Sequence, residues 1–164
     1  MVKDADENRE QIAETQRRLG ELAIQFSGVD VGFEKVFLAL TKLPLPLGGI
    51  IFYNHDATSR RRDLLDKIAK QVLAGNTGLL ERWESLRKEH AEIHERRNRF
   101  VHDLWAIDQT GTYVTARASA LAGVKSAQPI FSKVDDEELK ALGERASDLM
   151  MAAIDFSSAI RQAL

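Results

Sequence analysis

Apolar residues recur in steps of three and four along most of this chain. From Leu19 the row runs through Leu22, Phe26, Val29, Phe33, Val36, Phe37, Leu40 and Leu43. That period fits one face of an α-helix and not a half-buried strand, whose side chains alternate. It predicts a first helix over about 6–42. Gly28 and Gly32 lie inside it, and each costs roughly 1 kcal/mol relative to Ala. They mark either a bend or a close approach by another helix. Leu43-Pro44-Leu45-Pro46-Leu47-Gly48-Gly49 should end the helix, because proline lacks an N–H and blocks the preceding turn.

The same reading continues downstream. Leu64, Leu65, Ile68, Val72 and Leu73 predict a second helix over 57–73, with Asp56 or Thr58 as its cap. Residues 74–78 form a break with glycine and a capping residue, and a third helix follows over 79–103. Trp105 to Thr115 is rich in β-branched and aromatic residues around Asp108-Gln109-Thr110-Gly111, which predicts a hairpin over about 105–117. Residues 117–130 read as a loop. Asp135, with Glu138 three positions on, predicts the start of a fourth helix over 135–163. The expected fold is a single all-α domain over 1–164. It would be a four-helix up-and-down bundle with a small β-hairpin inserted between helices three and four.

Composition narrows the chemistry. The chain has 164 residues, enough for one domain with a core of its own. It has no cysteine, which excludes a disulfide scaffold, an iron–sulfur site, a Cys-type zinc site and a thiol nucleophile. The longest apolar stretch, 43–52, carries two prolines and two glycines, so no membrane span is expected. The polar, acidic start shows no secretory signal, and a cytoplasmic location is expected. The net charge of −2 excludes a protein that coats nucleic acid by bulk charge. That sum conceals a segregation. Residues 1–30 carry four basic and seven acidic side chains, and 135–164 carry three and seven. Residues 60–70 carry five and two, and 82–102 carry six and four, so the middle helices are net positive.

The third helix carries the residues of interest. On a wheel of about 100° per residue with Trp83 at zero, Leu86, Ile93, Phe100, Val101 and Leu104 share one arc. Lys88, Glu92, Glu95, Arg96 and Arg99 lie opposite, as a solvent face. Arg97 falls at about 320°, within the apolar arc, with His90 beside it. His94, Asn98 and His102 follow at i, i+4 and i+8 along one edge of the arc. An arginine there needs pairing or solvation. It serves either structure, through an ion pair, a snorkelling stem or a helix-dimer seam, or function, as a cation in a polar cleft beside histidines that titrate near neutrality.

Arg97-Asn98-Arg99-Phe100-Val101-His102 resembles the RNxxxH motif of the HEPN superfamily. The spacing of Arg to His alone also fits Arg87 with His94 and Arg96 with His102. The asparagine directly after Arg97 singles out this copy. The long first helix beginning at Leu19-Gly20-Glu21-Leu22 and the position of the motif late in the third helix are likewise similar to small bacterial members. The resemblance implies an α-helical homodimer whose two motifs face each other. It also implies metal-independent cleavage of RNA, with no cofactor. It assigns Arg97, Asn98 and His102 as the candidate catalytic residues. His102 would transfer protons, Arg97 would stabilise charge in the transition state, and Asn98 would orient the histidine or the phosphate. Roles in toxin–antitoxin or defence systems follow from family habit, as does an antitoxin or nucleotidyltransferase partner. Asp103, Leu104 and Trp105 stand where some members carry a modified tyrosine. Many members are non-catalytic RNA- or protein-binding modules, which is the alternative reading.

The remaining clusters have two readings each. Arg60, Arg61 and Arg62 sit in the first turn of the second helix, where cations oppose the helix dipole. They either pair with acidic helices or, together with His94, track an RNA backbone. Asp30 and Glu34 are candidate acidic partners for Arg97. His90 and His94, with His55, could ligate a metal, yet no HExxH pattern accompanies them and no metal site is expected. Trp83 and Trp105 read as core or dimer seam, and Tyr113 on the hairpin is open.

Overall fold

The long apolar row beginning at Leu19 does form one helix. In the computed structural model α1 runs Ala5–Thr41, and Leu22, Phe26, Val29, Phe33, Val36, Phe37 and Leu40 are all buried. The structure describes residues 5–55, 57–109, 112–116 and 132–164. After α1 come α2 (Leu45–Tyr53), α3 (Thr58–Val72), α4 (Thr77–His102), β1 (Leu104–Ile107), β2 (Tyr113–Ala116), β3 (Ser132–Lys133) and α5 (Asp136–Ala163). The chain is thus mostly helical with a small antiparallel sheet. Among the described residues no single helix is long and apolar enough to cross a membrane.

Two elements depart from expectation. The proline-rich segment ends α1 but then forms α2 instead of remaining a loop. Pro44 takes an extended N-cap conformation and Pro46 falls in the first turn. Backbone N–H groups there have no intrahelical partner, so a proline removes nothing. Gly48 N–H then donates to Pro44 O at 2.9 Å and the helix propagates. The second departure is β3, which pairs with β2 and makes the hairpin a three-stranded sheet in the order β1-β2-β3. The predicted loop over 117–130 lies outside the described residues.

The predicted caps hold in part. Asn76 Oδ1 accepts the Leu79 N–H at 3.1 Å, so α4 starts at Thr77, two residues before the expected position. Asp135 Oδ1 accepts the Glu137 N–H at 2.9 Å at the head of α5, as expected. Ala57, with no side-chain cap, stands at the N-cap of α3, and Asp56 lies outside the described residues. The hairpin has the expected place. Leu104 pairs with Ala116 and Ile107 with Tyr113. Asp108 closes the turn by accepting the Thr112 N–H on its carboxylate at 3.0 Å.

The chain gathers into two units, Met1–Ile24 with Ile93–Glu144, and Gln25–Glu92 with Arg145–Leu164. In the second, Trp83 is fully buried and stacks on Phe156 with ring centres 6.4 Å apart. Its indole N–H donates to Asp66 Oδ1 at 3.0 Å, which satisfies the one polar atom of the ring. Phe33 contacts Trp83 on one side and buried His90 on the other, at 6.0 and 4.4 Å between ring centres. Trp83 and His90 are therefore core residues. Gly28 and Gly32 mark a close helix approach. A Cβ on Gly32 would lie 3.1 Å from the Met150 backbone oxygen and 3.2 Å from Ala153 Cβ of α5. In the first unit Thr15 Oγ1 donates to Asp136 Oδ1 at 2.9 Å, joining α1 to the start of α5.

Gly32→Ala should destabilise by about 1–3 kcal/mol, because a helix backbone cannot retreat from the added methyl. Gly20→Ala, with nothing within 4 Å, should stabilise by roughly 0.5–1 kcal/mol. Paired urea denaturations check both signs. Asp66 gives the fold a dependence on acid pH. Burial pushes its carboxyl upward, but hydrogen bonds from Lys70 and Trp83 and the charges of Lys70 and Arg87 together hold it below the ordinary carboxylate range. A depressed carboxyl stabilises the fold above its unfolded-state value of about 3.9 and loses that contribution as pH falls through its folded value. Asp66→Asn should therefore flatten the acid limb of stability against pH below about 4.

Candidate functional site

The motif lies at the end of α4, within the first unit. Three hydrogen-bonding side chains are aligned there by helical spacing. Arg97 Nη1 donates to Asn98 Oδ1 at 3.3 Å. Asn98 Nδ2 lies 3.2 Å from His94 Nδ1, one turn back. These contacts fix one another. Arginine only donates, so it takes the oxygen of the Asn98 amide. The amide nitrogen then faces His94 and must donate. His94 accepts on Nδ1 and carries its proton on Nε2. Arg97, Asn98 and His94 are all half-buried.

His102 is the last residue of α4, one turn beyond Asn98, and is exposed. The helix stops abruptly, because β1 begins two residues later. Trp105, on β1, fixes this end: its Nε1 donates to Phe100 O at 2.8 Å, filling a carbonyl that the helix leaves unpaired. Trp105 packs edge-on against Tyr113 at 5.5 Å. The Tyr113 hydroxyl accepts from Gln16 Nε2 of α1 at 3.1 Å. The sheet thus locks the last turn of α4, a function for Trp105 and Tyr113 that aromatic content alone did not indicate.

The predicted solvent face of α4 is in place, with Lys88, Glu92, Glu95, Arg96 and Arg99 all exposed. Val101 departs from its predicted arc and is 49% exposed, and Ile107 of β1 is 52% exposed. Both are apolar side chains left open in the unit that holds the motif.

The three arginines of α3 behave differently from one another. Arg61 is held within the second unit. It pairs with Asp30 at 3.2 Å, donates to Thr58 Oγ1 at 3.0 Å, and lies over the rings of Phe52 and Tyr53 at 5.7 and 5.4 Å. Asp30 is thus an ion-pair partner of Arg61, and Glu34 accepts from the Tyr53 hydroxyl at 3.4 Å. Arg60 is exposed and Arg62 half-buried. Among the described residues, no group of three His, Asp or Glu side chains is arranged to hold a metal ion, the His55, His90 and His94 set included.

Comparison with family models, with curated proteins and with solved structures finds no match. The exposure pattern separates the motif residues from the core. His102→Ala should lower the unfolding free energy by less than about 0.5 kcal/mol, as for an exposed surface position. Trp105→Phe removes the bond to Phe100 O and should cost about 1–2 kcal/mol. Chemical denaturation distinguishes the two.

Proposed function

We propose that this protein is a metal-independent endoribonuclease of HEPN type that acts as a homodimer with a composite Arg/His site. The observation that carries the reading is the hydrogen-bonded row His94–Asn98–Arg97 on α4, followed one turn later by exposed His102. The supporting fold reading is a four-helix up-and-down bundle of α1, α3, α4 and α5, with α2 and the sheet as additions.

The chemistry suits these groups. In RNA cleavage a ribose 2′-OH loses its proton and attacks the adjacent phosphorus. The phosphorane gains negative charge, and the 5′-oxygen leaves with a proton. The products are a 2′,3′-cyclic phosphate and a 5′-hydroxyl. His102, solvent-facing, moves the protons. Arg97 holds phosphate oxygens through its planar fork and stabilises the growing charge. Asn98 aims the Arg97 guanidinium through its Oδ1. His94 holds Asn98 in that orientation, and this makes it a positioning residue. Exposed Val101, beside the motif, supports a second copy at this end of α4, since apolar surface left open favours association. Arg60 and Arg62 remain available to an RNA backbone, whereas Arg61 already serves the fold. An antitoxin or nucleotidyltransferase partner, a cytoplasmic setting and a role in defence accompany this reading.

Purified protein should cleave single-stranded RNA in EDTA and leave 2′,3′-cyclic phosphate ends. His102→Ala should reduce cleavage by at least about a hundredfold, the lower range for loss of a general acid or base. Cleavage unchanged in that variant contradicts the assignment. The second reading, a non-catalytic module that binds RNA, nucleotide or protein, predicts no cleavage but salt-dependent RNA binding that weakens in Arg97→Ala.

A further inference from the structure

The second unit holds a groove that the RNA reading does not use. It is a cavity of about 620 Å³ between α1, α2 and the end of α5. That size lies within the roughly 300–1,000 Å³ range of small-ligand sites. Its walls are apolar: Val31, Leu38, Leu43 and Leu45 line it, and Val31 and Leu45 are exposed at 43% and 64%. Its charged side chains are three cations, Lys35, Lys42 and Arg161, against one carboxylate, Glu34, and the main chain of Leu164 also lines it. Glu34 faces α2, where it accepts from Tyr53 and where one of its oxygens would lie 3.0 Å from a Cβ on Gly49. Burial, with Glu34 and Asp30 nearby, pushes the Tyr53 hydroxyl up to about 12, so it stays a donor to that carboxylate.

A second observation is independent of the lining. Lys42 has φ of 56°, and it is the only described non-glycine residue with a positive φ. It follows the last residue of α1, a position that glycine or asparagine ordinarily takes. A lysine in that strained conformation brings a charge that glycine would not. Its Nζ donates to Leu164 O at 3.0 Å, which holds the ammonium at the groove.

We infer that this groove binds a single-chain alkyl carboxylate, with the chain along Val31, Leu38 and Leu45 and the head group among Lys35, Lys42 and Arg161. A monoanion fits better than a dianion, because Glu34 in the lining repels a second negative charge. Gly48 keeps the walls in place. It is buried, and a Cβ there would push on Leu38 Cδ2, so glycine lets α2 lie against α1 with the Leu38 side chain left in the wall. The site is separate from the motif on α4 and does not depend on the endoribonuclease reading.

The test is calorimetric titration of the full chain with sodium octanoate and, in parallel, with 1-octanol. Octanoate should bind saturably at one site per chain, about tenfold tighter than octanol, the scale of one charge-assisted contact. Lys42→Gly should weaken octanoate by a similar factor without lowering the melting temperature, because glycine suits the left-handed position. Arg161→Gln, at an exposed position, should weaken it too and serves if Lys42→Gly does not fold. Equal binding of octanol, unchanged octanoate affinity in both variants, or no saturable binding overturns the inference. So does association only with phosphatidylglycerol vesicles, or self-association through exposed Leu47, Ile50 and Ile51 that octanoate does not affect.

Discussion

A buried indole needs somewhere to put its N–H. Trp83 has the largest side chain in the core, and its only polar atom is satisfied by Asp66, seventeen residues earlier on α3. That bond ties the first half of α4 to α3 within the second unit. Asp66 in turn accepts from Lys70 at 2.8 Å and lies 3.4 Å from Arg87. A carboxylate with an indole donor and two cations stays ionised, so the anchor persists across the ordinary pH range. With Trp83 stacked on Phe156 and flanked by Phe33, this part of the helix has one rotational setting.

The far end of α4 reverses this logic. There the polar groups are only partly covered, and the restraint comes from hydrogen bonds. Arg97 sets the face of the Asn98 amide, and Asn98 sets the tautomer of His94. Trp105 closes a carbonyl at the helix terminus, while Tyr113 and Gln16 hold Trp105's neighbourhood. A rigid end with an exposed histidine is what a proton-transfer site requires, since productive geometry must be maintained before the substrate arrives. The same rigidity would suit a recognition surface. Cleavage in EDTA separates the two, because binding geometry alone does not expel a 5′-oxygen.

The helices and much of the core were legible from the apolar period. Leu22 to Leu40 on α1 are buried at the predicted positions, and α5 buries a row of the same period, Leu139, Leu142, Ala146, Leu149, Ala153, Phe156 and Ile160. Gly28 and Gly32 announced the approach of α5, though only the neighbouring atoms distinguish that from a bend. Residues 43–53 were not legible as a helix. Proline counts as a breaker in the interior and as neutral in the first turn, so register decides, and composition cannot supply it. β3 is two residues long and owes its existence to pairing with β2, which is a non-local cause. Val101 shows the limit of a helical wheel. It predicts which residues share a face, but burial also requires a neighbour, and Val101 stays 49% exposed at the end of α4. The Arg97–Asn98–His94 row was visible as spacing, whereas its direction required donor and acceptor geometry. Arg61 was visible only as one of three arginines. Its pairing with Asp30 and stacking on Phe52 and Tyr53 required the fold.

The central claim is that two copies of α4 meet at their motif ends to build one site. A single nitroxide label tests it directly, because the chain has no cysteine and Val101→Cys introduces the only thiol. Dipolar electron resonance on the labelled protein should give one narrow distance, shorter than the roughly 39 Å length of a 26-residue α4. It should broaden or shift when single-stranded RNA is added. No dipolar coupling, or a distance longer than the helix itself, would contradict a shared site.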